Sequence, residues 1–308
     1  MNRFPSEITA YRPLARCGGG DGGELYLVED AVGARYALKI VEKTVAGGGW
    51  EREFRGLKNY RTQVPEHPNL IRIFHVEDCG KFFYCTMEAA DDLSATGNYL
   101  PATLANLIRC RSFSGETLRK IFDPLLDALE HLHRANAIHG NVNPDNVVFV
   151  DGVPKLGGVG RSGAAAAFAP PEYRRGRAEE PTTDIDLYAL GKTLYCAFSG
   201  NKVENYPFVS PEILGDPDCW VLNKLVRAAC AVDPRLRLKS IEAFRDGLHG
   251  RIGWKYQLRL WGRAATVLPA ALIGLGVRYV LARKWLLALL ALLLLIFGGL
   301  AIKDLLTR

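Results

Sequence analysis

The first 250 residues change pattern once, and that change narrows what the chain can fold into. Residues 11–43 alternate β-branched and aromatic side chains around Gly and Asp, which predicts strands joined by turns. Residues 71–88 read as two more strands around Asp78-Cys79-Gly80, and residues 50–61 between them read as a helix. From Gly115 onward the period is helical, over 115–135, 183–199, 218–231 and 239–248. Strands first and helices afterwards predict an α+β protein.

The tail differs from all of this. Residues 285–302 (WLLALLALLLLIFGGLAI) run for 18 positions without a charge. As a helix they would span about 27 Å, close to the hydrocarbon thickness of a bilayer. A core helix of a soluble domain would show a polar stripe, and this run has none. It predicts a C-terminal transmembrane helix with nothing large beyond it. Residues 264–282 are also apolar but carry Pro269, Gly274, Gly276 and Arg278, so they read as a first transmembrane helix or an interfacial one. A hairpin would translocate Arg283 and Lys284, whereas a single span keeps them on the domain side. Residues 251–263 mix basic and aromatic residues, as juxtamembrane linkers do. The net charge of +6 follows from this tail: residues 251–308 hold nine Lys/Arg and one Asp, and the rest hold 30 basic against 32 acidic. The basic balance is therefore no footprint of nucleic acid. The seven cysteines are scattered without a CxxC pair, and the opening residues do not read as a secretory signal. Both suit a reducing compartment, with neither disulfides nor a structural metal.

Motifs punctuate residues 11–250. Gly18-Gly19-Gly20-Asp21-Gly22-Gly23 would let backbone N–H groups approach a phosphate with no Cβ in the way, and read alone is equally a hairpin turn. Lys39 stands in the apolar run Tyr36-Ala37-Leu38-Lys39-Ile40 and needs a partner or a phosphate. Glu53 on the next helix is the expected partner, and Glu51 lies roughly on the opposite face. Then come His67-Pro68-Asn69, Met87-Glu88 and His139-Gly140-Asn141-Val142-Asn143-Pro144-Asp145-Asn146. Lys155-Leu156-Gly157-Gly158-Val159-Gly160, Ala169-Pro170-Pro171-Glu172, Asp184-Ile185-Asp186 and Asp233-Pro234-Arg235-Leu236-Arg237 follow.

In this order and spacing the motifs resemble the protein kinase superfamily in its eukaryotic-like Ser/Thr form. Residues 18–25 match its glycine-rich loop, 36–40 its V-A-I-K strand and 139–146 its H-R-D-x-K-P-x-N loop. Residues 155–160 match K-L-x-D-F-G, and 169–172 match A-P-E. The resemblance covers 11–250 and implies a bilobal fold with a β-rich N-lobe and a helical C-lobe. It implies a nucleotide pocket formed by Gly18, Gly20, Gly23, Lys39, Glu53, Met87, Glu88 and Asn146, with the adenine along residues 88–90. Asp91 or Asp92 is placed for a ribose hydroxyl or in a solvated turn. Asp186 becomes a structural acid, and Arg237 the buried partner of Glu172. The stretch from Glu53 to His67 exceeds the family pattern, which predicts a longer loop over 61–65.

The departures fall on the chemistry. Asn141 replaces the proton-accepting Asp, and an amide cannot act as a base. Gly158 replaces the Asp that grips Mg²⁺ and offers no ligand atom. Asn143 replaces a Lys, and Gly140 the Arg that would receive a phosphorylated loop. Defects of about 2–4 kcal/mol each would slow phosphoryl transfer by several orders of magnitude. The resulting expectation is a membrane-anchored pseudokinase with its kinase-like domain cytoplasmic and no intact catalytic residue. It would bind ATP, if at all, without Mg²⁺, and would regulate or scaffold a protein partner. His139-Gly140-Asn141 also resembles the pseudokinase domains of Janus kinases. Two alternatives stand beside it: a weak or atypical ATP-dependent Ser/Thr kinase using Asp145, and a nucleotide-free adaptor docking a membrane partner.

Overall fold

Alternation along the strands sorts the small lobe's side chains onto two faces of one sheet. A computed structural model describes residues 4–20, 23–43, 49–94, 97–160, 166–174 and 182–251, all within the first of two compact units, Met1–Ile252. Strands β1 (Arg12–Gly20), β2 (Gly23–Glu29), β3 (Arg35–Glu42), β4 (Ile73–Asp78) and β5 (Phe82–Glu88) form an antiparallel sheet in the order β1-β2-β3-β5-β4. Leu38 and Ile40 join Phe82, Tyr84, Val28 and Ile8 in one buried cluster. Val41, Phe83 and Cys85 enter another, with Leu57, Ile71, Ile73 and Val159. Successive strand residues face opposite ways, so Lys39 shares the second face with Val41. Packing starts upstream of residue 11: Ile8 is buried, and Phe4 meets Tyr26 edge to face at 5.2 Å.

Helix α1 (Gly49–Gln63) covers the second face, burying Leu57 and Glu53. The extra residues predicted to lengthen the loop over 61–65 lengthen this helix instead. It ends just before Val64-Pro65, because the residue ahead of a proline disfavours helical dihedrals. The Pro65 carbonyl then lies 2.9 Å from His131 Nε2.

The large lobe holds α2 (Leu104–Cys110), α3 (Gly115–Arg134), α4 (Pro171–Arg174), α5 (Asp184–Ser199), α6 (Pro211–Leu214), α7 (Pro217–Ala229) and α8 (Ile241–Leu248). Leu118, Phe122, Leu125, Leu129 and Leu132 form one buried stripe on α3, and the Ser114 hydroxyl caps it by accepting from the Thr117 N–H at 3.2 Å. Helix α5 is buried from Ile185 to Ser199 and stops at Gly200, whose φ of 68° a glycine adopts freely. Strands β6 (Val147–Val150) and β7 (Val153–Leu156) form a hairpin turned by Asp151-Gly152, both at positive φ. The lobes are stitched where the Ile71 N–H donates to the Leu156 carbonyl at 2.9 Å and Asn69 Nδ2 to the Pro154 carbonyl at 3.0 Å.

Among the described residues no helix is long and apolar enough to cross a membrane. The predicted segments 264–282 and 285–302, and the linker beyond Arg251, lie outside the described residues.

Candidate functional site

The loop after α3 is fixed by a carboxylate. Asp186 has no solvent exposure, and a buried carboxylate must be hydrogen-bonded. It accepts from the His139 N–H at 2.9 Å and the Gly140 N–H at 2.7 Å, and meets His133 Nε2 at 2.9 Å. Burial holds the His139 imidazole below its ordinary pKa against the opposing pull of Asp186. Its Nδ1 accepts from the Asn141 N–H at 3.2 Å.

The three asparagines of this loop bond to one another. Asn143 Nδ2 donates to the Asn141 carbonyl at 3.1 Å and to Asn141 Oδ1 at 3.2 Å. Asn143 Oδ1 accepts from the N–H groups of Asp145 at 3.0 Å and Asn146 at 3.2 Å, capping the 3-10 turn Pro144–Asn146. Asn146 Nδ2 donates to the Asn141 carbonyl at 2.7 Å. Each of these groups is a neutral amide, so the trio contains no base.

Gly158 follows β7 with a φ of 71°. A Cβ built on it would stand 2.5 Å from Asn146 Cγ and Nδ2 and 2.6 Å from Oδ1. The Asn146 amide thus fills the volume into which a side chain at 158 would project. The nearby carboxylates are otherwise engaged or exposed. Glu53 is ion-paired with Lys39, Glu88 meets Lys155 Nζ at 2.6 Å, and Asp145 is open to solvent. Among the described residues no group of three or more His, Cys, Asp or Glu is placed to hold a metal ion. Mg²⁺ binds through converging hard oxygens, and position 158 supplies no side-chain oxygen.

The opposite wall fits a nucleotide better. Lys39 Nζ and Glu53 pair between β3 and α1, while Glu51 is exposed. Gly18–Gly20 lie in β1, and Gly20 pairs with Gly23 across the hairpin. A Cβ on Gly18 would meet nothing within 4 Å, leaving it open to a ligand, whereas one on Gly23 would stand 2.2 Å from the Ile40 carbonyl. Gly23 therefore serves strand packing. Gly18, Gly19, Gly23, Lys39 and Glu53 line a cleft of about 700 Å³ with Leu25, Ala37, Met87 and Val148, a volume suited to a small ligand, and Gly20 is not among its lining residues. Cys17 also lines it, with its thiol pushed up to about 11 by burial, so it is no thiolate at neutral pH.

At the hinge the Glu88 N–H donates to the Arg72 carbonyl at 3.1 Å, and its carboxylate accepts from the Arg72 N–H at 2.8 Å. Its side chain braces the hinge through the Arg72 N–H and Lys155, and the residue also lines the cleft. Asp91 accepts from the N–H groups of Asp151 and Gly152, each at 2.8 Å. Asp92 accepts from those of Ser94 at 2.8 Å and Leu100 at 3.0 Å. Both carboxylates brace turns, the second of the two readings the sequence left open. Tyr99, Asn106 and Arg109 line the cleft too, and no sequence motif marked them. Further away, the buried Arg237 meets Glu172 Oε1 at 2.7 Å, the expected bridge, and also Asp184 Oδ2 at 3.2 Å.

The protein kinase domain family matches residues 11–210. The chain is 28% identical to the serine/threonine-protein kinase GRIK1 of Arabidopsis thaliana over 264 residues, covering 77% of this chain and 61% of that protein. It therefore spans less than two thirds of that relative's length. It is 26% identical to the Aurora/IPL1-related protein kinase 2 of Caenorhabditis briggsae, covering 76% of this chain and 80% of that protein. Among solved structures, the PknI kinase domain of Mycobacterium tuberculosis is similar with a TM-score of 0.63 at 20% identity, covering 82% of this chain and 100% of that one, a likeness of fold.

Proposed function

The chain belongs to the protein kinase family, and from that premise we propose that it is a pseudokinase that holds a nucleotide without Mg²⁺ and acts by engaging a protein partner at a membrane. One observation carries this reading: the Asn146 amide occupies the space beside Gly158 where the family's metal-gripping carboxylate would project. Asn141 adds to it, because an amide cannot take the hydroxyl proton. The ATP part is supported by the family match, the Lys39–Glu53 pair and the open backbone at Gly18. The membrane part rests on the uncharged run over 285–302 and the basic residues ahead of it, which favour a cytoplasmic kinase-like domain. Resistance of the full chain to extraction from membranes by alkali tests that part.

Thermal unfolding of the full chain with ATP, in Mg²⁺ and in EDTA, tests the rest. Ligand at a hundred times its Kd adds about 2.7 kcal/mol of apparent stability. A shift that persists in EDTA is expected. A shift that needs Mg²⁺ would overturn the metal-free reading, and no shift at all would leave a nucleotide-free adaptor. A second reading, a weak Ser/Thr kinase, is favoured by the intact Lys39–Glu53 pair and by Asp145 lining the same cleft. Phosphate transfer abolished by Asp145→Asn would establish it.

A further inference from the structure

Gly56 stands in the middle of α1, where glycine is destabilising relative to alanine. Its surroundings supply the reason. A Cβ on Gly56 would stand 2.2 Å from the Gly160 carbonyl oxygen, 2.8 Å from its carbon and 2.9 Å from the Gly160 Cα. From the other side, a Cβ on Gly160 would stand 2.7 Å from the Leu57 nitrogen and 3.0 Å from the Gly56 carbonyl carbon. All of these neighbours are backbone atoms, which cannot turn aside as a side chain can. Gly160 also has a φ of 80°, which other residues rarely adopt. The helix therefore rests directly on the segment after β7, at a spacing that admits a side chain on neither residue.

This contact lies beside the nucleotide wall. Glu53, three residues before Gly56 on the same helix, pairs with Lys39, and Leu57 packs in one cluster with Val159. The ion pair alone is a poor anchor, because desolvation offsets much of the attraction of two largely buried charges. We infer that the Gly56–Gly160 backbone contact positions α1, and with it Glu53 on Lys39, with no ligand or phosphorylated residue required. Gly56 and Gly160 are positioning residues for the cleft.

The affinity arm of the test rests on the proposed nucleotide binding; the exchange arm does not. ADP affinity in EDTA is measured for the full chain and for Gly56→Ala, Glu53→Gln and the double variant. Each single change should weaken binding about tenfold, the scale of one charge-assisted hydrogen bond. The double variant should be no weaker than the weaker single one, since both changes act through Glu53. Parental affinity in Gly56→Ala, or losses that multiply, would overturn the inference. Hydrogen exchange supplies the second readout: Gly56→Ala should speed exchange in 49–63 while α5 stays protected. If the parent binds no nucleotide, the functional reading fails, and unchanged exchange in α1 would then sink the positioning role by itself. If Gly56→Ala does not fold, Gly160→Ala strains the same contact from the other side and takes its place.

Discussion

Gly158→Asp restores on paper the residue with which the family grips Mg²⁺, and the structure predicts that the variant binds no metal and folds less stably. Two costs follow from the geometry. At a φ of 71° an L-residue takes the left-handed conformation, which costs about 1 kcal/mol. The Asn146 amide must also leave, because the new Cβ would lie 2.5 Å from it, and its 2.7 Å hydrogen bond to the Asn141 carbonyl is lost at about 1 kcal/mol net. Together these lower stability by about 2 kcal/mol, or about 4–8 °C in Tm for a domain of this size. Thermal unfolding with and without Mg-ATP reads both effects, and Gly158→Ala is the control, with the same Cβ and the same strain but no carboxylate. The two variants should melt together below the parent, and neither should respond to Mg²⁺. A Gly158→Asp protein that melts with the parent, or that gains a Mg²⁺-dependent shift absent from Gly158→Ala, would refute the argument that Asn146 closes the site.

Other consequences can be checked separately. Asp186→Ala removes the acceptor of one buried and one part-buried N–H group and should cost about 3 kcal/mol or more in denaturant unfolding; a loss under about 1 kcal/mol would mean the loop is held elsewhere. Arg237→Met leaves Glu172 and Asp184 without their buried cation and should cost about 3–5 kcal/mol by the same assay. Burial is the largest influence on the Glu172 carboxyl and works to raise it, but the hydrogen bonds it accepts from Arg237 and from its own backbone N–H, together with the Arg237 charge, hold it below its ordinary value. A folded pKa below the unfolded one contributes stability above the unfolded value that is lost as pH falls through the folded value. The parent should therefore weaken as pH drops below about 4.5, and Arg237→Met should show a flatter acid limb. The same sign applies to His139, held below 6.5 by burial, so stability should begin to decline as pH falls under 6.5 and His139→Leu should blunt that decline. Lys39→Met should weaken ATP binding at least tenfold in a fluorescence titration, and parental affinity would remove Lys39 from the site.

Elements with one strong local signal are legible in the sequence alone. The helical period that becomes α3 and the apolar run that forms α5 each depend on residues close in the chain. The surplus residues ahead of His67 are visible there only as length, and Pro65 decides that they extend a helix. Asp91 and Asp92 allow two readings, because a carboxylate near a turn does not reveal whose N–H it will meet.

The sequence by itself determined the family resemblance, the order of the motifs and the absence of a carboxylate at positions 141 and 158, since the identity of a side chain decides whether it can be a base or a metal ligand. It also marked Lys39 and Glu53 as partners, because a Lys in an apolar strand needs an acid within reach. Only the tertiary structure decided that Asn146 fills the space at Gly158 and that Gly56 meets Gly160 backbone to backbone. Both contacts join segments far apart in the chain at separations where a single Cβ does not fit, and no local pattern of residue types encodes such a distance.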